Sequence, residues 1–298
     1  MALIRINATG PRPELHGIKR PLLPVLKRAS RSRGPILIMI HGYRFLPEDP
    51  DHCPHTHILG APDVERPGVP SWPKRLGVTR RGLGVAFGWN ARGSLRDALN
   101  SARDASRALA SLITTLRQLS PGRPVHLIAH SMGAPVALGA MARLSGGDIG
   151  RVLLLNAAAF QGETQEALKT QAGRHSELFN ITSRENAVFD RLYTHALRRR
   201  DKLLGEGLSA PNALTLRLDD AHTLAQLTAT GFDIAPPLRR HCHWSTYLRP
   251  GVFPFYRALF HHPNRYPLAY LQNLLIAQDT HAAPKQYRRL RLTLRTSQ

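Results

Sequence analysis

The chain has 298 residues, 42% of them hydrophobic and 20% charged, with 41 Lys+Arg against 20 Asp+Glu and a formal net charge of +21. This length accommodates one large domain or two small ones, and the ordinary apolar content excludes a mostly disordered chain. Only Cys53 and Cys242 are present, which excludes a disulfide scaffold. No apolar run reaches the roughly 18 residues that cross a bilayer, and the N-terminus lacks the apolar core of a secretory leader. The expectation is a cytoplasmic protein with no transmembrane segment.

A basic excess of this size suggests an anionic partner such as nucleic acid or a membrane surface. All but six of the basic residues are arginine, however, and they are spread along a chain rich in Ala, Leu, Gly and Pro. GC-rich coding produces the same bias with no partner required. No nucleic-acid-binding motif accompanies the charge, so no specific nucleic-acid partner is expected.

In chain order, residues 1–34 are rich in Pro and Arg, with one short strand at 3–7, and read as an N-terminal extension. The run PILIMIH at 35–41 is apolar throughout, as expected of a parallel strand buried on both faces. Residues 44–82 carry seven prolines (47, 50, 54, 62, 67, 70, 73), too many for regular structure. A loop of this length in a compact domain suggests a functional insertion such as a lid. A second strand is expected at 83–89. A helix follows at 94–119, with apolar residues at helical spacing from Leu95 to Leu116 and a stop at Pro121-Gly122. Further strands are expected at 124–129, 151–160, 176–183 and 213–218, with helical segments at 133–144, 163–172 and 253–260. Strands alternating with helices give a mostly parallel α/β sheet covered on both faces. Residues 35–280 read as one domain and 281–298 as a basic tail.

Residues 129–133 read Ala-His-Ser-Met-Gly at the end of a buried strand and the start of an apolar helix. A serine on so sharp a strand-to-helix turn projects its hydroxyl above the sheet, and the residues two positions either side must be small. Ala129 and Gly133 meet that need, which makes Ser131 a candidate nucleophile. The N–H of Met132, at the helix N-terminus, is placed to stabilise an oxyanion.

LIAHSMGA, preceded by ILIMIHGY, resembles the α/β-hydrolase fold family and its lipase/esterase members, over about residues 35–260. The resemblance implies an α/β-hydrolase fold with a Pro-rich insertion after the His-Gly strand. It also implies an ester or thioester small-molecule substrate and no cofactor or metal. His41 and Gly42 would line the site, with the N–H of Tyr43 or Arg44 as second oxyanion donor. The family order of Ser, then acid, then His points to residues 180–190 for the acid. The slot that carries Asp in many relatives is Asn186 here, which leaves Glu185 and Asp190. Asp190 is favoured because Phe189 and Leu192 suggest a partly buried helix start. His243, in a His-Trp loop before a final helix, is the expected base; His222 is the other candidate. Asn90, at a strand end, and Trp244 are candidate substrate contacts.

Two further readings stand beside the serine esterase. Loss of the Asp at 186 suggests a catalytically impaired relative used for binding, and the charge suggests a binder of anionic surfaces. His52-Cys-Pro-His-Thr-His57 and His241-Cys-His243 are dense enough in ligand atoms to raise zinc, although their spacing fits no standard site.

Overall fold

The computed structural model describes residues 2–61, 68–78 and 82–276. Eight strands form one sheet: β1 (Ala2–Thr9), β2 (Arg12–Leu15), β3 (Ile36–Ile40), β4 (Leu83–Gly88), β5 (Val125–His130), β6 (Arg151–Leu155), β7 (Glu177–Thr182) and β8 (Ala213–Arg217). The strand order is β2-β1-β4-β3-β5-β6-β7-β8. Among the described residues only the β1–β2 strand pair is antiparallel. The helices among the described residues are α1 (Leu22–Ala29), α2 (Trp72–Arg75), α3 (Leu95–Leu119), α4 (Gly133–Met141), α5 (Gln161–Lys169), α6 (Gln171–Arg174), α7 (Ala187–Leu197), α8 (Ala221–Ala229), α9 (Ser245–Leu248), α10 (Val252–His261) and α11 (Leu268–Ile276).

The continuous apolar strands are explained by two cores. Along β3, Ile36, Ile38 and Ile40 point into one core with α3 and α4, while Leu37 and Met39 point into the other with α2 and α10. Strand β6 divides the same way, Val152 and Leu154 against Leu153 and Leu155. With both faces covered, alternation has no polar side to show. Helix α3 starts at a capping box, in which Ser94 Oγ accepts from Asp97 N–H and Asp97 Oδ2 accepts from Ser94 N–H.

Three expectations gain detail. The N-terminal extension of residues 1–34 packs onto the sheet, because β1 pairs in parallel with β4. The strand expected at 151–160 ends at Leu155, because Asn156 turns left-handed (φ 41°) and Ala158 N–H then bonds Ser131 O (3.1 Å). The Pro-rich insertion is anchored where it is described: Ile58, Leu59, Trp72, Leu76 and Val78 are buried in the second core. The tail expected at 281–298 lies outside the described residues.

Two buried arginines tie loops to the sheet. Arg151 donates to Glu177 (2.6 Å) and to the carbonyls of Leu259 and Tyr266 (2.7 Å each), joining β6 to the α10–α11 region. Arg249 donates to Glu185 and to Leu218 O, fixing the segment before α10 against β7 and β8.

Candidate active site

Ser131 sits at the end of β5 with φ 53°, a left-handed conformation that costs a non-glycine residue about 1–3 kcal/mol. Main-chain bonds hold it there: Ser131 N–H donates to Leu155 O (3.0 Å), and Ala134 N–H donates to Ser131 O (3.0 Å). Crowding explains the small neighbours. A Cβ on Gly42 would lie 2.9 Å from His130 O and from Ser131 Cβ; one on Gly133 would lie 2.6 Å from His41 O. The His-Gly and Ser-Met-Gly motifs are therefore packed backbone against backbone.

His41 is fully buried and serves that junction. Its Nδ1–H donates to Gly42 O (2.8 Å), its Nε2 accepts from Trp89 N–H (3.0 Å), and its carbonyl accepts from Trp89 Nε1–H (3.0 Å). Burial holds its pKa down at about 4, so the ring is neutral and positions the loop. Arg44 N–H is taken by Ala91 O (2.9 Å). Among the described residues the N–H groups of Tyr43 and Met132 have no hydrogen-bond acceptor, which leaves them available as a donor pair.

A cavity of about 460 Å³ brings Ser131, Met132, Tyr43, His243, Asn186 and Asp190 together, with Trp244 on its wall. Its remaining lining is largely apolar, including Leu95, Ala158, Phe189 and Leu192. Trp244 is 48% exposed and stands at the rim. A second cavity of about 300 Å³ shares Tyr43, Arg44, Phe45 and Trp244 with the first. Asn90 is exposed and its Oδ1 accepts from Arg92 N–H (3.1 Å), a turn role that leaves it outside the cavity lining. His222 lies in the first turn of α8, also away from that lining.

His243 is held by contacts from four residues. Its carbonyl accepts from His130 Nε2–H (3.1 Å) and Asn156 Nδ2–H (2.9 Å). Its ring stacks on Phe189 (4.7 Å between centroids), and its Nδ1–H donates to Asn186 Oδ1 (2.6 Å). That bond fixes the tautomer with Nε2 unprotonated. Burial lowers the pKa of His243 to about 4, and burial with the neighbouring His243 holds His130 well below its ordinary value.

Neither carboxylate expected from the sequence touches the His243 ring. Glu185 is buried with Arg249 and Ser183 Oγ–H (3.0 Å), and its carbonyl accepts from Cys242 N–H (3.0 Å), anchoring the His243 loop. Asp190 lies one residue further out, its Oδ1 accepting from Asn186 Nδ2–H (2.9 Å). Burial, reinforced by Glu206, raises its pKa to about 7. The side chain that meets the His243 ring is Asn186, an uncharged acceptor in the slot where the resemblance implies an Asp.

Among the described residues one group could approach a metal ion, Asp49, Asp51 and His52, and it is largely exposed, with Asp49 already bonded to Arg92 and His52. The two cysteines are free and buried. Among the described residues no helix is long and apolar enough to cross a membrane.

Residues 37–295 match the model of the Alpha/beta hydrolase family. A solved structure, described as a lipase-esterase related protein from Clostridium acetobutylicum ATCC 824, is similar at 10% identity over 68% of this chain and 92% of that chain. Its TM-score is 0.33, too low for the likeness to carry an argument. No curated protein matches the sequence.

Proposed function

The chain belongs to the alpha/beta hydrolase family, and from that premise we propose that it is a serine hydrolase of carboxylic esters or thioesters. Ser131 Oγ attacks the substrate carbonyl while His243 Nε2 takes its proton. The tetrahedral oxyanion accepts hydrogen bonds from Met132 and Tyr43 N–H, a contribution of about 3–4 kcal/mol for each donor. Collapse expels the alkoxide or thiolate, which receives the proton from His243 and leaves an acyl group on Ser131. Water, deprotonated by the same imidazole, then releases the acid.

The observation that carries this reading is the strained Ser131 opening into one cavity with a His243 whose Nδ1 is tied to an acceptor. A neutral imidazole at pH 7, free at Nε2, is the form a general base requires. The largely apolar lining favours acyl chains over small polar acyl groups. Free buried thiols fit a reducing, cytoplasmic location. Hydrolysis of a p-nitrophenyl ester series of rising chain length tests the proposal. Wild type is expected to turn over with a preference beyond acetate, and Ser131→Ala to fall to background. Equal rates in the two proteins would remove the assignment.

A second reading, a slow or inactive relative that binds its ligand, is favoured by the neutral Asn186 against His243. Saturable ligand binding without turnover in wild type would support it.

A further inference from the structure

We infer that Asp190 is a positioning residue for His243, acting through the Asn186 amide, so that the base is served by a relayed carboxylate instead of a touching one. The inference rests on the reading of Ser131 and His243 as nucleophile and base. Two bonds in series carry it: His243 Nδ1–H to Asn186 Oδ1 (2.6 Å), and Asn186 Nδ2–H to Asp190 Oδ1 (2.9 Å). Asn186 is 2% exposed, so water does not compete for the amide between them.

The chemistry of the amide fixes the direction of the chain. His243 must present N–H at Nδ1 for Nε2 to act as base, so Asn186 must turn its oxygen inward. Its NH₂ then points outward, where only an acceptor fits, and Asp190 is that acceptor. A carboxylate on the N–H side pushes electron density onto the amide oxygen, and hydrogen bonds in series strengthen one another. When Ser131 gives up its proton, the imidazolium faces an oxygen more negative than that of an isolated asparagine. Without that help a buried His243, its affinity for protons already lowered by burial, is a weak base.

The relay works only while Asp190 is ionised. The charged groups sharing its outer cavity are Arg184, Arg191, Glu206 and Arg217, with Ser183 and Thr194 beside them. On the inner side it shares the active cavity with the titratable and charged groups Arg44, Tyr43, Tyr193, His130 and His243. Burial and Glu206 bring its ionisation to about pH 7. The acid limb of kcat/KM then follows Asp190, well above the titration of His243 near 4.

The test is the pH profile of p-nitrophenyl butyrate hydrolysis by wild type, Asp190→Asn, Asn186→Asp and the double variant. Asp190→Asn is expected to lower kcat about tenfold with little change in KM, and to move the acid limb below pH 6; a relayed charge falls short of the 10²–10⁴-fold range of direct acid–base help. In the Asn186→Asp background, where a carboxylate touches His243 directly, the same change is expected to cost about twofold or less. A purely structural Asp190 would lower activity equally in both backgrounds and leave the limb in place, which overturns the inference. Should Asp190→Asn fail to fold, the His243 Nδ1–H proton resonance of wild type decides. It is expected to shift with a midpoint near pH 7, and a resonance flat through that range overturns the relay. Absence of wild-type hydrolysis would instead sink the enzyme reading itself.

Discussion

On the β3–β5 side of the cleft, Ser131, Gly42 and Gly133 are fixed by main-chain bonds and by the close approach of backbone atoms. On the β7 side, His243 is fixed by side chains: Asn186, His130, Asn156 and Phe189 around it, with the buried Glu185–Arg249 pair behind its loop. The first arrangement has no slack, because a single methyl has nowhere to go. The second is adjustable, because polar side chains trade partners and protons. The placement of Ser131 and the environment of His243 are thus separate physical problems in this molecule.

The comparison is broken most severely at Ser131. Ser131→Ala is expected to lower kcat/KM roughly 10⁴-fold or more while leaving the fold intact, as measured by ester hydrolysis and circular dichroism. Loss of only a few-fold would mean that the main-chain side does not carry the chemistry. Next in size is Arg249→Met. It strands the buried Glu185 carboxylate and is expected to cost about 3–5 kcal/mol in urea unfolding. Gly42→Ala puts a methyl 2.9 Å from His130 O and Ser131 Cβ. A displacement near 1 Å at the nucleophile should lower kcat about 10²-fold, with a smaller loss of stability.

The smallest effect sharpens the side-chain half. His41, His55, His126, His130 and His243 are deeply buried and all have pKa values lowered by burial, so below pH 6.5 the unfolded chain binds protons that the folded chain refuses. Their contribution to stability is present above pH 6.5 and is lost on acidification. Asp190 has the opposite sign: its pKa is raised, so the folded state gains as it protonates below about 7. Five histidines outweigh one aspartate, and unfolding free energy should fall by about 2 kcal/mol between pH 7 and pH 6. Constant stability over that range would mean that the histidines are not held neutral.

The same division explains what could be read in advance. Gly133 and Gly42 are small because of local crowding, and local crowding leaves a mark at fixed spacing in the sequence. The apolar run at β3 likewise announces a strand covered on both faces. A strand at 3–7 is legible, but its place in the sheet was not, because its partner β4 lies some eighty residues on. The side-chain partner of His243 was harder to read. The resemblance implies an acid at the Asn186 slot, where the residue is neutral; of the charged neighbours, Glu185 is bonded to Arg249, and Asp190 reaches His243 only through the amide. Partner choice among buried side chains depends on contacts far apart in the chain, such as residue 185 with 249. The charge of +21, prominent in the composition, has no counterpart in the cavity apart from Arg44 on its wall.

The central claim is that the strained turn makes Ser131 nucleophilic with His243 as its base. Incubation with a fluorophosphonate followed by intact-mass and peptide analysis tests it most directly. One adduct on Ser131 is expected in wild type, none in Ser131→Ala, and labelling slowed at least about 10²-fold in His243→Ala. An unlabelled wild type, or an adduct on any residue other than Ser131, would contradict the account.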